Sequence, residues 1–584
     1  MNKQLHKNRC RNILKQVQDG MTTTRHRNTV ILNSFQNLII VSFLFIFTNS
    51  FSQTITHGPI VGAVTSTSVK ILLITDTVNR SEILKFDKRL LEQDPIGHIC
   101  IFIKGSGIES LLYDIVGSKI YDSLDWSFML KNRVIDPVKN NVHIFKFDSL
   151  LPNTTYEYTV NLPFFEGSYS TGSFKTFPTN YQPTNFSFTL GSCTEQHHND
   201  SIFVEMQKHK PTFFLHLGDW LYPDNFKEDK FYYDENLEHQ KELYQKRYEM
   251  PNLKTFLQTT PMDFVFDDED GVYDDFSKNS YTEIKMNGNA TEIKEVPYPD
   301  SLRKMAIKGL HTFFPSYKEI EDQAYHSFVY GNAEVFFLDT RSTRSPNSEV
   351  FTKTKSGKYK YKVPKGHTIL DTAQMNWLLT KLKNSKADWK FIVSGVTFNK
   401  SYKQVLDMCM RVQNRKLPNG LTGAYVATSL ASMWFAFPET QQKLIEYCND
   451  NQIKNVIVLS GDAHTAGIDD GTNAGFPELM AGGLAQTNSK LVSIIKNTMR
   501  LNLWNQGGQG INNSNFNDAF GKVEVFGKDS VRLSAIDKYG TEICHYEVKN
   551  GFLPEKYNIK PYNKIFPRHK IRSTIRLLKI ALHH

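Results

Sequence analysis

Cys193, Asp219, Tyr222, Asp462 and His464 carry side chains that can ligate a transition metal, and each follows a short apolar run. Asp219 and Tyr222 come after Thr212-Phe-Phe-Leu-His-Leu-Gly, Cys193 ends Phe188-Thr-Leu-Gly-Ser-Cys193, and the histidine ends Asn455-Val-Ile-Val-Leu-Ser-Gly-Asp-Ala-His464. A thiolate, a phenolate and carboxylates suit a trivalent or thiol-tolerant transition metal better than magnesium. Taken alone, Tyr222 also reads as a rim aromatic, Cys193 as a buried structural cysteine and His464 as a structural histidine. Position is what joins them. An apolar run that stops at a glycine reads as a buried strand opening into a loop, and ligands bind at strand carboxyl ends in open α/β sheets.

Two further stretches supply charge. Phe266-Asp-Asp-Glu-Asp-Gly-Val-Tyr-Asp-Asp275 holds Asp267, Asp268, Glu269 and Asp270, then Asp274 and Asp275. These acids repel one another unless cations sit among them or water screens them, so the stretch is either part of the site or a solvated turn. The lead-in Phe264-Val265-Phe266 favours a strand end. Phe336-Phe-Leu-Asp-Thr-Arg341 is another strand end, with Arg344 close behind. A guanidinium there can grip phosphate oxygens bidentately, or Arg341 can form a structural pair with Asp339. Phosphate ester hydrolysis needs an oxygen nucleophile and positive charge on the phosphoryl oxygens; two metal ions roughly 3.5–4 Å apart supply both when a carboxylate bridges them. Asp219 is placed to bridge. His197 and His198 read as loop residues.

At 584 residues the chain is long enough for two domains plus appendages, and a hydrophobic content of 40% is that of a globular protein. Residues 54–180 predict a small β-sandwich: His57 to Thr75 reads as two strands around a polar turn, Leu151 to Val160 alternates, and Gly172 to Pro178 closes the segment. Residues 181–550 predict an α/β domain of strands followed by helices, with helical candidates at Asp371–Asn384 and Glu439–Asn449. On the first, Met375, Leu378, Leu379 and Leu382 share a face. Insertions at 224–260, 276–310 and the lysine-rich 353–365 read as solvated loops or substrate rims.

Of the net charge of +9, residues 1–30 carry +6 and residues 554–584 carry +7, which leaves the middle at about −4. That balance argues against a nucleic-acid-binding surface on the folded part. Residues 1–53 read as a basic presequence and secretory signal around Leu38–Phe47, which predicts an exported protein, periplasmic, cell-surface or secreted. An uncleaved anchor is the alternative. The tail, residues 551–584, places Ile571, Ile575, Leu578 and Leu582 at helical spacing among basic residues, a pattern that fits weak contact with an anionic membrane surface, docking on the protein itself, or disorder. Beyond Cys10 in the presequence, five widely spaced cysteines leave at least one thiol without an intrachain partner.

In order, Gly-Ser-Cys193, Leu-Gly-Asp219-Trp-Leu-Tyr222, Asp267-Asp-Glu-Asp270, Leu-Asp339-Thr-Arg341, Gln374-Met-Asn-Trp377-Leu-Leu and Ser-Gly-Asp462-Ala-His464 resemble the alkaline phosphatase D family of calcineurin-like metallophosphoesterases over residues 183–470. The resemblance implies a four-layer metallophosphatase sandwich preceded by a fibronectin- or immunoglobulin-like β-sandwich. It further implies an iron and calcium centre, with other divalent metals open, that hydrolyses phosphomonoesters or phosphodiesters through a metal-activated oxygen nucleophile. Under it, Cys193, Asp219, Tyr222, Asp267, Asp274, Asp462 and His464 are expected metal ligands, and Asp268, Glu269 and Arg341 catalytic residues. Two positions depart from the family pattern: Glu269 stands for a histidine and Asp274 for an asparagine. They keep open a non-catalytic reading, a phosphate- or metal-binding protein of the same fold.

Overall fold

A computed structural model of the chain describes residues 55–75, 100–105, 133–134, 142–161, 169–223, 235–270, 272–320, 322–417, 420–487, 489–499, 501–511 and 516–554. These residues belong to one compact unit. Residues 1–54 and 555–584, which carry the export and membrane-surface expectations, lie outside them. No described helix is long and apolar enough to cross a membrane.

Strands β1 (Ile55–Gly62), β2 (Val69–Thr75) and β3 (Val142–Phe147) pair antiparallel in that order. Next come β4 (Asn185–Thr194), β5 (Phe214–His216) and β6 (Met262–Phe264), parallel neighbours, and β1 adds to the free edge of β6 at Gly62↔Met262. In a second run, β7 (His326–Tyr330) lies antiparallel to β8 (Ala333–Phe337), which continues in parallel through β9 (Trp389–Ser394), β10 (Val456–Ser460) and β11 (Glu478–Ala485). The end of β11 meets the end of β4 in parallel at Gly482↔Ser192 and Ala485↔Thr194. On the edge of β4 opposite β5, β12 (Ala519–Phe526), β13 (Ser530–Asp537) and β14 (Glu542–Lys549) complete an antiparallel meander.

The two halves pack face to face because their strands are apolar on both faces. Successive side chains of a strand point to opposite sides. Phe391, Val393, Ile457 and Leu459 accordingly enter an inner core with Phe188, Leu190, Leu215 and Val523, where the rings of Phe188 and Phe391 stand 5.4 Å apart. The alternate residues Phe336, Ile392, Val456 and Val458 face outward onto helices. On the opposite outer face, Leu72, Ile74, Phe214 and Phe264 lie against helices α1 (Ile202–Lys208), α2 (Leu237–Tyr248), α3 (Pro251–Leu257) and α4 (Asp300–Phe313). The layers therefore run helix, sheet, sheet, helix, a mixed α/β fold dominated by its sheet.

Helix α5 (Thr372–Asn384) buries Met375, Leu378, Leu379 and Leu382, the face read from the sequence, and starts where the Asp371 side chain accepts a hydrogen bond from the Gln374 N–H at 2.8 Å. Helices α6 (Tyr402–Arg411), α7 (Gly423–Leu430) and α8 (Pro438–Asp450) complete that layer. The lysine-rich insertion is a hairpin of Phe351–Lys353 and Tyr359–Tyr361 turning at Gly357.

A free-standing β-sandwich over 54–180 is not confirmed. β1 joins the large sheet through β6, and Val61, Ile71 and Phe145 share one core with Phe188 and Leu215; Tyr158 and Phe174, from a three-stranded sheet of Cys100–Gly105, Thr155–Asn161 and Tyr169–Lys175, enter the same core. Segments this short bury too little apolar surface by themselves, and the neighbouring strands supply the rest. Cys193, Cys409, Cys448 and Cys544 are buried free thiols, in line with the odd cysteine count.

Below the sheet edge, His326 Nε2 lies 2.6 Å from Asp263 Oδ2, both side chains buried, while its Nδ1 lies 2.8 Å from the Ala324 carbonyl. Burial opposes charge on the imidazole, but the Asp263 carboxylate outweighs it and holds the pKa above the ordinary 6.5. Replacing His326 with Asn is expected to destabilise the fold by about 3–5 kcal/mol, the usual result of leaving one member of a buried pair alone. Because the folded-state pKa is raised, the pair's contribution is full below the ordinary histidine value and is lost as pH rises through the raised one. Urea unfolding of parent and variant over that range should show the gap narrowing with pH; a gap that widens would contradict the assignment.

Candidate metal centre

Strands β8, β9, β10, β11, β4, β5 and β6 are successive parallel neighbours, so their carboxyl ends fall along one edge. This pairing brings together residues up to 271 positions apart in sequence: Cys193 near the end of β4, Asp219 and Tyr222 after β5, Asp267 to Asp275 after β6, Arg341 after β8, and Asp462 and His464 after β10.

Side-chain donors meet there in three overlapping groups, each with one ligand atom per residue and all atoms within 4.8 Å of one another. Cys193, Asp219 and His464 form the first; Asp219, Asp268 and Asp462 the second; Asp268, Asp274 and Asp275 the third. Asp219 belongs to the first two and Asp268 to the last two. Asp219 Oδ2 accepts from Cys193 Sγ at 3.3 Å and from the Tyr222 hydroxyl at 3.2 Å, while its Oδ1 has no hydrogen-bond partner among the described residues. A buried carboxylate oxygen without a donor is costly unless a cation takes it.

The balance of charge points the same way. Asp219, Asp267, Asp268, Asp274, Asp275 and Asp462 face two guanidiniums, those of Arg341 and Arg344. Arg341 is fully buried; its Nε bonds Asp267 Oδ1, its NH1 lies 2.8 Å from Asp268 and 3.4 Å from Asp275, and its NH2 lies 3.0 Å from Asp462. Arg344 NH2 and Asn347 Nδ2 also donate to Asp275 Oδ1, at 3.3 and 2.9 Å. Burial, with the charges of Cys193 and Asp268, drives the Asp219 pKa well above the ordinary carboxylate value. Burial lifts Asp462 to about 6 against the pull of Arg341, and pushes the Cys193 thiol up to about 12. Burial lowers His464, which keeps the imidazole neutral and fit to ligate. Cations placed among these groups would reverse the carboxylate and thiol shifts, so the donor set fits metal ions.

The backbone at the centre is unusual. Cys193, Asp219, Tyr222, Asp275, Asp462 and His464 all adopt left-handed φ, between 46° and 67°. Non-glycine residues rarely do so, and such strain concentrates at functional sites. Close approach sets the neighbouring glycines: a Cβ at Gly218 (φ 107°) would stand 2.7 Å from Asp267 Cβ, and one at Gly395 would strike the Asp267 carboxylate.

A model of the PhoD-like phosphatase family matches residues 188–525, the stretch that spans every one of these donors. The chain belongs to the PhoD-like phosphatase family. Among curated PhoD-type relatives, alkaline phosphatase D of Bacillus subtilis (strain 168) is 23% identical over 347 residues, covering 56% of this chain and 54% of that protein. The chain thus spans about half the length of that relative. A solved structure of PhoD superposes with a TM-score of 0.53 at 15% identity, covering 86% of this chain and 93% of the other, which shows the fold. Purple acid phosphatase PPD1 from yellow lupin (Lupinus luteus) seeds is a looser likeness, at TM-score 0.47, 11% identity, and 85% and 74% coverage.

In this PhoD-like chain the ligand candidates Cys193, Asp219, Asp274, Asp462 and His464 fall into the donor groups, and Tyr222 reaches Asp219 through its hydroxyl. Three further expected site residues are placed as follows. Asp268, expected as catalytic, sits in two donor groups; Asp267, expected as a ligand, lies outside all three and anchors Arg341. Glu269 is half-buried and outside the groups, and its backbone carbonyl accepts the Tyr222 N–H at 3.1 Å. The Arg341 side chain pairs with the acidic stretch, and only its backbone N–H bonds Asp339. His197 and His198 are exposed, as loop residues should be. Sequence reasoning missed Asp275 and Asn347; the Asp274-Asp275 doublet was the available signal for the first, and none marked the second.

Gly218→Ala and Gly366→Ala test the packing of Asp267. Both positions have positive φ, 107° and 79°, but a Cβ at Gly366 meets nothing within 4 Å. Gly218→Ala is expected to lose about 1–3 kcal/mol more than Gly366→Ala in urea unfolding, the typical result of overpacking. Equal losses would show that Asp267 yields freely.

Proposed function

We propose that the chain is an exported, metal-dependent phosphoesterase that hydrolyses phosphomonoesters or phosphodiesters at the edge formed by Cys193, Asp219, Asp268, Asp274, Asp275, Asp462 and His464. One observation carries the reading: three donor groups overlap through Asp219 and Asp268, the arrangement that adjoining cations need. Family membership supports a phosphatase, and the name of the Bacillus subtilis relative, alkaline phosphatase D, agrees with it. Iron is assigned to the group with Cys193, His464 and Tyr222, because thiolate and phenolate favour it; calcium fits the all-carboxylate group of Asp268, Asp274 and Asp275. Bound ions would supply an oxygen nucleophile at neutral pH and positive charge for the phosphoryl oxygens.

The chain's own residues do the rest. Asp219 holds the first two donor groups together, and Asp268 the second and third. Arg341, fixed through Nε to Asp267, presents NH1 and NH2 toward Asp268 and Asp462; this end of the guanidinium is assigned to grip phosphate oxygens. Glu269 is assigned proton donation to the leaving group, in place of the family's histidine. Export rests on the basic and apolar pattern of residues 1–53. Residues 54–180 are assigned to position and shield the site. A phosphate ester is the partner the site calls for.

Metal analysis together with hydrolysis of an aryl phosphate and a bis-aryl phosphate tests the reading. The parent, supplied with iron and calcium, is expected to retain ions and cleave at least one ester. Chelation should abolish turnover, and Asp219→Asn should lower it by about 10–100-fold or more with little change in melting temperature. Retained ions with both esters intact would favour the non-catalytic binding protein.

A further inference from the structure

The loop that carries Asp219 and Tyr222 is held by side chains that touch neither. The backbone polar groups from the Gly218 carbonyl to the Tyr222 N–H, the Asp219 N–H apart, have partners. Gly218 O accepts from Cys193 N at 3.2 Å, Asp219 O from Thr194 N at 3.3 Å, and Tyr222 N donates to Glu269 O at 3.1 Å. The two residues between are gripped from both sides. Asp270 Oδ1 accepts the N–H groups of Trp220 and Leu221 at 2.7 and 3.1 Å, and its Oδ2 accepts the Asp267 N–H at 2.8 Å. Arg247, in the last turn of α2, donates Nε to the Trp220 carbonyl at 2.5 Å and NH2 to the Leu221 carbonyl at 3.3 Å. Gln196 Nε2 adds a second donor to that carbonyl at 2.5 Å.

Both charged groups are fully buried, and the Arg247 guanidinium also lies 5.3 Å from the centre of the Trp220 ring. An arginine buried this deeply is costly to keep, and burial lowers its pKa to about 9. Its described bonds go to two carbonyls of the loop and to Met250 Sδ. Those two peptides separate Asp219 and Tyr222, each held in the left-handed region at φ 58° and 64°. A left-handed residue lies roughly 1–2 kcal/mol above the right-handed form, so a free loop would relax and turn both side chains away.

We infer that Arg247 and Asp270 are a positioning pair that grips the Trp220 and Leu221 peptides between them and so aims Asp219 and Tyr222 at one point. The inference rests on the metal reading above. It assigns the pair no contact with ion or substrate; loss of the grip acts through the loop, as loss of an outer support typically weakens metal binding about 10–100-fold.

The experiment is manganese titration calorimetry on the full chain, with melting temperature of the ion-free protein measured alongside. Arg247→Met is expected to weaken manganese binding at least tenfold, and Arg247→Lys to recover part of the loss. Leu243→Ala, a core truncation on the same helix, should lower the melting temperature comparably while leaving manganese affinity within about twofold. Should Arg247→Met fail to fold, Asp270→Asn provides the second arm, with the same expected loss. Equal affinity in Arg247→Met and parent, or a parallel loss in Leu243→Ala, would overturn the positioning role. A parent that binds no manganese, iron or calcium overturns the metal reading itself, a result distinct from the others.

Discussion

Mutual repulsion among buried carboxylates is the constraint on which the rest of this molecule depends. Six aspartates, four of them buried, converge on one sheet edge with two guanidiniums among them, and burial makes an uncompensated charge far more expensive than it would be in water. The fold holds these groups together by its own rigidity. Asp267 is wedged against Gly218 and Gly395, Asp275 is tied to Arg344 and Asn347, and Asp462 accepts from Arg341 and donates its backbone N–H to the Ser192 hydroxyl. Metal ions are the partners that would turn this stored repulsion into binding energy.

Rigidity of that order comes from strands buried on both sides. With Phe336, Ile392 and Val458 on one face and Phe337, Phe391 and Leu459 on the other, the central strands have no solvent face on which to place chemistry. The metal-ligating side chains accordingly sit at the strand ends, where parallel pairing sets them in a row. The centre is a product of topology as much as of residue choice.

This explains what could be read from the sequence. A strand end has a local signature, an apolar run broken by glycine, so Cys193, Asp219, Asp462 and His464 were legible as a set. The buried face of α5 was legible because helical spacing is local too. The attachment of β1 to β6 was not, since a single parallel register point between Gly62 and Met262 leaves no mark in either segment. The division of labour among Asp267, Asp268 and Asp275 was equally hidden. Adjacent aspartates look alike in a string, and all three face Arg341; only the fold tells that Asp267 takes its Nε while Asp268 and Asp275 also enter donor groups. Arg247 gave no signal because its partners are backbone carbonyls, which every residue possesses.

The left-handed backbone at Cys193, Asp219, Tyr222, Asp462 and His464 filters the substitutions open to this scaffold. Threonine, valine and isoleucine carry a second heavy atom on Cβ that collides with the main chain in that region, whatever its affinity for a cation. Asparagine, aspartate, histidine and glycine pass most readily. Drift in metal preference along such a lineage is thereby channelled into unbranched donors, and an oxygen ligand from threonine is closed to it at all five positions.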